Sequence, residues 1–174
     1  EIRSCDWSSD VCSSDLLLGQ VLRYQGDPFV DGLAAARPLA QGAVAVRDGR
    51  ILDVGEAGEL RARHPQARIH DHGQKLISAG FIDAHVHYPQ TAIIASWGKR
   101  LIDWLNTYTF PEEMRFSDRA YADAVANRYL DLVLARGTTT VCSYATIHPE
   151  SVDAFFTAAQ ATLCAVSSRE ASPR

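Results

Sequence analysis

Two imidazoles separated by one residue, His85-Val86-His87, stand at the end of the apolar run Leu76 to Asp83. Phe81 to His87 reads as a short buried strand, and in a strand residues two apart point to the same face. The two rings then converge on one point, which is how two ligands of a metal ion are presented. The same spacing has a plainer reading as a solvated strand edge, and His70-Asp71-His72 repeats it upstream. That upstream pair lies in the polar stretch His70 to Lys75 and reads as a turn. His85 and His87 instead follow an apolar strand, at the strand-to-loop position where α/β barrels carry their catalytic residues.

The elements around this pair fall into two groups. Leu16 to Tyr24, Gly42 to Arg47, Ile51 to Val54 and Ala67 to His70 read as short strands, with Asp48-Gly49 as a hairpin turn. From Phe81 onward the pattern alternates strand with helix, which predicts a parallel α/β sheet. Ser117 reads as a helix cap with Asp118 in the first turn, and Tyr121, Val125, Leu132 and Val133 as one helical face that ends at Gly137. Thr138 to Tyr144 is β-branched and apolar, a good strand. Ala145 to Pro149 is then a loop, and Val152 to Phe156 begins the next helix. His148 in that loop reads as structural or solvent-exposed rather than as a ligand. Trp97 and Trp104 lie seven apart, on one helical face, and read mainly as packing residues.

Composition narrows the partners. The net charge is −4 with both signs dispersed, so neither a nucleic-acid patch nor a basic membrane surface is indicated. No apolar stretch approaches the ~18 residues of a membrane helix, and no basic segment with an apolar core opens the chain, so a cytoplasmic location is expected. Of four cysteines, Cys5, Cys12, Cys142 and Cys164, none forms a CxxC pair, and neither a disulfide framework nor a thiolate zinc site is read.

The segment Gly80-Phe81-Ile82-Asp83-Ala84-His85-Val86-His87 resembles the first-strand motif of the amidohydrolase superfamily, metal-dependent hydrolases on a (β/α)8 barrel. That element marks only the superfamily. Three further blocks are similar to the guanine deaminases within it: Tyr88-Pro89-Gln90, then Leu101 to Glu113, then Gly137 to Thr140 with Ala145 to Ser151. The resemblance covers about Leu17 to Gln160. The family commonly has Pro where Ala79 stands, and Ala is permissive there.

What the resemblance implies is an α/β fold, the start of a (β/α)8 barrel over residues 79–160 preceded by a small β-domain over 17–78. It implies zinc as cofactor, His85 and His87 as the first two metal ligands, and Tyr88, Pro89 and Gln90 as a substrate-contacting segment. The Gln90 amide, with one donor and one acceptor group, matches a purine edge. Trp97 is a weaker candidate for the lining of such a pocket. The implied reaction is hydrolytic deamination of guanine to xanthine and ammonia, with guanine as the partner and a homodimer left open for the whole protein. A different amino-purine, pyrimidine or triazine remains open as substrate, as does a non-catalytic, partly folded product.

A complete barrel needs about 250 residues, whereas 94 run from Phe81 to Arg174. The family's later ligands and its Glu proton shuttle have no counterpart here, so no catalytic residue is assigned and the chain alone is expected to be inactive. Both ends look foreign. Asp6 to Leu16 is Ser/Asp-rich and aperiodic and resembles a translated sequencing adapter, so residues 1–16 are expected to be a non-native tail; residues 161–174, polar and aperiodic, are expected to be another.

Overall fold

The structure, a computed structural model, describes residues 14–98, 100–162 and, for its backbone, 165–169. It divides into two compact units between Ala79 and Gly80. The adapter-like residues 6–13, and Cys5, Cys12 and Cys164, lie outside the described residues. Ser14, Asp15 and Leu16 do not behave as a tail, because Leu16 is fully buried in a strand.

In the first unit β1 (Asp15–Tyr24) lies between β2 (Ala36–Arg47), antiparallel, and β4 (Arg68–Ser78), parallel, while β3 (Arg50–Glu56) completes a four-stranded sheet in the order β3-β2-β1-β4. A short helix, α1 (Pro28–Asp31), precedes β2. Asp48 and Gly49 both take positive φ, the conformation that a tight hairpin between twisted strands demands. Leu16 opposes Ala45 and Leu18 opposes Ala43, so alternate residues of two strands share one buried face, which Leu60 of helix α2 (Ala57–Arg63) covers.

The stretch His70 to Lys75 is not the end of a strand. β4 continues through it, but its register slips from Asp71 opposite Leu18 to Leu76 opposite Gln20, so the polar residues bulge out of a continuous strand. Asp71 accepts a hydrogen bond from the Gly73 amide within the bulge. Gly19 faces it, where a Cβ would come 2.9 Å from the Lys75 carbonyl oxygen. His70 bonds Asp15 across β1 and β4 at 2.9 Å. This bond and the neighbouring Arg68 hold the Asp15 carboxyl below its ordinary pKa against the opposing effect of burial.

The second unit is a three-stranded parallel sheet, β5 (Phe81–His87), β6 (Thr138–Tyr144) and β7 (Ala165–Arg169), in that order. Its connections are helical, as parallel neighbours require. After β5 come a 3₁₀ turn over Tyr88–Ile93, helix α3 (Leu101–Trp104), a π turn into α4 (Phe110–Met114), and the long α5 (Arg119–Leu134). After β6 comes α6 (Pro149–Ala161). These are the first β/α repeats of a barrel, and they bury one core: Tyr88, Phe116, Val125, Tyr129, Leu130, Val141 and Phe155, with alanines of α5 and α6 between the helices.

Several local expectations change. Asp118 rather than Ser117 caps α5, its carboxylate accepting from the Ala120 amide, while the Ser117 hydroxyl donates to the Met114 carbonyl. α6 starts at Pro149, three residues before the apolar run, since proline suits the first helical position. The buried face of α5 runs Ala122, Val125, Ala126, Tyr129, Leu130, and Leu132 lies off it. Trp97 and Trp104 share no helix, because the chain turns before α3. Residues 165–169 pair with β6 as β7 despite their polar composition, since an open strand edge templates a neighbour through backbone groups alone. Last, β5 is a strand but not a buried one: Phe81 is 66% and Ile82 73% exposed.

That exposure generates the first prediction. Phe81, Ile82, Trp97, Leu101, Ile102 and Ile147 leave a large apolar area in water, and such patches drive association. The 174-residue chain expressed alone is expected to aggregate or to be molten, binding a hydrophobic dye and lacking near-UV dichroism. A monodisperse monomer with a sharp cooperative melt would contradict this.

Candidate functional site

β5 and β6 deliver the site through their backbone pairing. Asp83 pairs with Val141 and Val86 with Ser143, leaving two residues of β5, Ala84 and His85, opposite Cys142 alone on β6, so a bulge sits at Ala84–His85. Bulges re-aim side chains, and this one occurs at the first imidazole. His85 and His87 end with ring centres 5.3 Å apart. Two imidazoles on one tetrahedral metal, at about 2.0–2.1 Å per metal–nitrogen bond, have ring centres roughly 5 Å apart, so the pair fits a shared ion. Among the described residues no cluster of three or more His, Cys, Asp or Glu side chains forms a fuller cage.

Tyr144, which ends β6 opposite His87, holds both rings. It stacks on His87 at 4.9 Å and tilts against His85 at 4.7 Å. Burial, and secondarily the charge of His85, keeps the His87 ring below the ordinary histidine pKa, with Glu113 opposing. A neutral ring at neutral pH is the form that ligates a metal.

Tyr88 and Pro89 turn away from the site. Both are buried; the Tyr88 ring lies against Phe116 and Phe155 in the core, and its hydroxyl donates to the Ser151 carbonyl in α6. Burial is the main reason its pKa is raised. Ser151 is itself a junction, its Oγ bonding the Thr146 amide and hydroxyl and the His148 carbonyl. The chain leaving the two histidines is thereby fastened to the chain leaving β6. His148 occupies the cap position of α6 and takes no part in the imidazole pair.

Gln90 returns to the surface beside the histidines. His85, His87 and Gln90 line one cavity of about 460 Å³, closed by Ile93, Trp104 and the α5 residues Tyr129, Leu132 and Val133. That volume lies within the range of small-molecule sites. Trp104, whose indole donates to the Ser96 carbonyl at 3.1 Å, lines it where Trp97 does not. The Gln90 amide donates to the Glu113 carboxylate at 3.2 Å. Glu112, next in sequence, points into the fold, where the Tyr121 hydroxyl donates to it and Arg115 bonds it at 3.0 Å while lying over the Tyr121 ring.

Three site residues escaped the sequence reading. Tyr144 could have been found by applying the strand-end rule to β6 as well as to β5. Glu113 lies in a block similar to the family but carries no local signal of a role, and the spacing of Trp104 from Trp97 points mainly to packing.

Comparison with known proteins agrees with this geometry. The amidohydrolase family model matches residues 76–169, and a bacterial imidazolonepropionase-like composite domain matches 42–67. The guanine deaminase of Escherichia coli K12 is 38% identical over 127 residues, 72% of this chain and 29% of that protein. The crystal structure of guanine deaminase from Bradyrhizobium japonicum superimposes with a TM-score of 0.85 at 32% identity, over 90% of this chain and 35% of that one. Guanine deaminase from C. acetobutylicum, solved with guanine in its active site, gives 0.76 at 25% identity, over 90% and 36%. The chain thus spans about a third of the length of the relatives it matches. With more than half of its residues in the family model, and with the strand, histidine pair and cavity in place, the chain belongs to the amidohydrolase family and is guanine deaminase-like in sequence and fold.

Proposed function

We propose that the full-length protein is a zinc-dependent guanine deaminase, with His85 and His87 as two of its metal ligands and Gln90 as a substrate contact. The observation that carries this reading is the meeting of the imidazole pair and the Gln90 amide on the wall of one cavity. Its support is the likeness to guanine deaminases, one of them solved with guanine bound.

In the overall reaction water adds at the purine C2, the C2–amino bond breaks, and xanthine and ammonia leave. Zinc, when bound, supplies water activated at neutral pH. The chain's own residues position the reactants. Tyr144 fixes the two imidazole planes, Tyr88 and Pro89 act from behind by anchoring the turn, and Gln90 presents a donor and an acceptor to the purine edge. Apolar Ile93, Trp104 and Val133 strip water from the ring faces.

Two expectations follow. The 174-residue chain should not turn over guanine, because two imidazoles alone neither hold a zinc ion nor tune its water. Xanthine formation by the purified chain above that of a His85→Ala, His87→Ala double variant would refute this. In the full-length protein His87→Ala should remove metal and turnover together, whereas Gln90→Ala should keep the metal and weaken guanine recognition by roughly 1–3 kcal/mol. Metal analysis with kinetics on guanine, adenine, cytosine and a triazine checks both. Preference for a substrate other than guanine would move the activity elsewhere in the family, and zinc loss in the Gln90 variant would refute its role as a substrate contact.

A further inference from the structure

A glutamine amide reads a purine edge in one of two senses, depending on which of its ends carries the donor. Guanine offers an acceptor at O6 and a donor at N1; a 6-amino-purine offers the reverse, a donor at the 6-amino group and an acceptor at N1. An amide free to rotate by half a turn serves either edge. Discrimination therefore requires something that holds the amide one way round.

Glu113 meets that requirement. Its carboxylate accepts the Gln90 amide N–H at 3.2 Å, and both side chains are half-buried. An ionised carboxylate has no hydrogen to give, so only the NH2 end of Gln90 can face it. The flipped amide would set two oxygens against each other beside a cavity wall. The carbonyl oxygen of Gln90 is thereby kept as the acceptor for substrate, and one N–H remains as donor. Glu113 is itself held at the end of α4, where its neighbour Glu112 is anchored inward by Tyr121 and Arg115, so the two glutamates cannot exchange places.

We infer that Glu113 is a specificity-determining positioning residue: it locks the Gln90 amide in the sense that accepts the N1–H of a 6-oxo-purine and disfavours a 6-amino-purine. This rests on the guanine reading of the site given above. The paired probes are guanine and 2,6-diaminopurine, which both carry a 2-amino group and present opposite senses of the O6/N1 edge, so that the change in their ratio between variant and wild type cancels their intrinsic difference in reactivity at C2.

The test uses the full-length enzyme and the nearly isosteric Glu113→Gln, whose amide can accept from or donate to Gln90 and so permits both orientations. The ratio of kcat/KM for guanine over 2,6-diaminopurine should fall by about tenfold or more in this variant, with metal content retained, since an unmet buried polar group is what enforces such ratios. Glu113→Asp, which is still acceptor-only, should keep more of the ratio than Glu113→Gln. A purely structural role would lower both substrates alike and leave the ratio unchanged, and that result overturns the inference. A wild-type enzyme that does not deaminate guanine would overturn the functional reading instead. In that event the side-chain amide resonance of Gln90, identified by its loss in Gln90→Ala, decides. A bonded, slowly exchanging N–H that becomes exposed in Glu113→Ala supports the lock, and an amide signal indifferent to Glu113 refutes it.

Discussion

A buried phenol must find a hydrogen-bond acceptor, and the site depends on the one that Tyr88 finds. Immediately after the second histidine the chain turns Tyr88, the largest fully buried side chain among the described residues, into the core, where leaving the hydroxyl unpaired would cost a few kcal/mol. The Ser151 carbonyl accepts it, and the Ser151 hydroxyl in turn ties down Thr146 and His148. Two strand-to-loop transitions, after β5 and after β6, are thus pinned to the first turn of one helix. His85, His87 and Tyr144 lie on one side of that pin and Gln90 on the other, so their spacing follows from a core contact rather than from the loops themselves.

The same arrangement explains a division of labour along the segment Tyr88-Pro89-Gln90. The first two residues are buried and the third lines the cavity, because the 3₁₀ turn rotates successive side chains by about a third of a turn each. The adjacent glutamates show the same logic on a helix: Glu112 is spent on Tyr121 and Arg115, whereas Glu113, rotated by about 100°, faces Gln90. With Glu112 as its partner, the Tyr121 hydroxyl is pushed up to about 12, chiefly by burial, and remains a donor.

Periodicity and turn chemistry made the architecture legible. The strands β1, β3, β5 and β6, the Asp48-Gly49 hairpin and the switch to parallel α/β after Phe81 announce themselves through alternation, β-branching and glycine. The imidazole pair was legible because strand geometry alone brings residues 85 and 87 to one face. What stayed hidden depends on interactions with no local signature. The β4 bulge and the bulge at Ala84–His85 are relations between two strands, and no single strand's pattern encodes a register slip. The burial of Tyr88 is set by a helix more than sixty residues away. β7 formed where composition argued against it, since backbone pairing along an open edge is blind to side chains.

The exposed flank of β5 and the depressed basicity of His87 belong together. A strand with Phe81 and Ile82 in water gives its imidazoles little shelter, so the surroundings of the pair come mainly from Tyr144 on one side and the cavity wall on the other. Protonating the His87 ring would place its charge 5.3 Å from the His85 ring beside that wall, which burial, and secondarily His85, oppose. Glu113 pulls in the other direction, favouring the charged ring, while it also holds Gln90. One carboxylate therefore acts on two residues of the cavity wall. It restrains the Gln90 amide through a hydrogen bond and, through space, favours the charged form of the His87 ring.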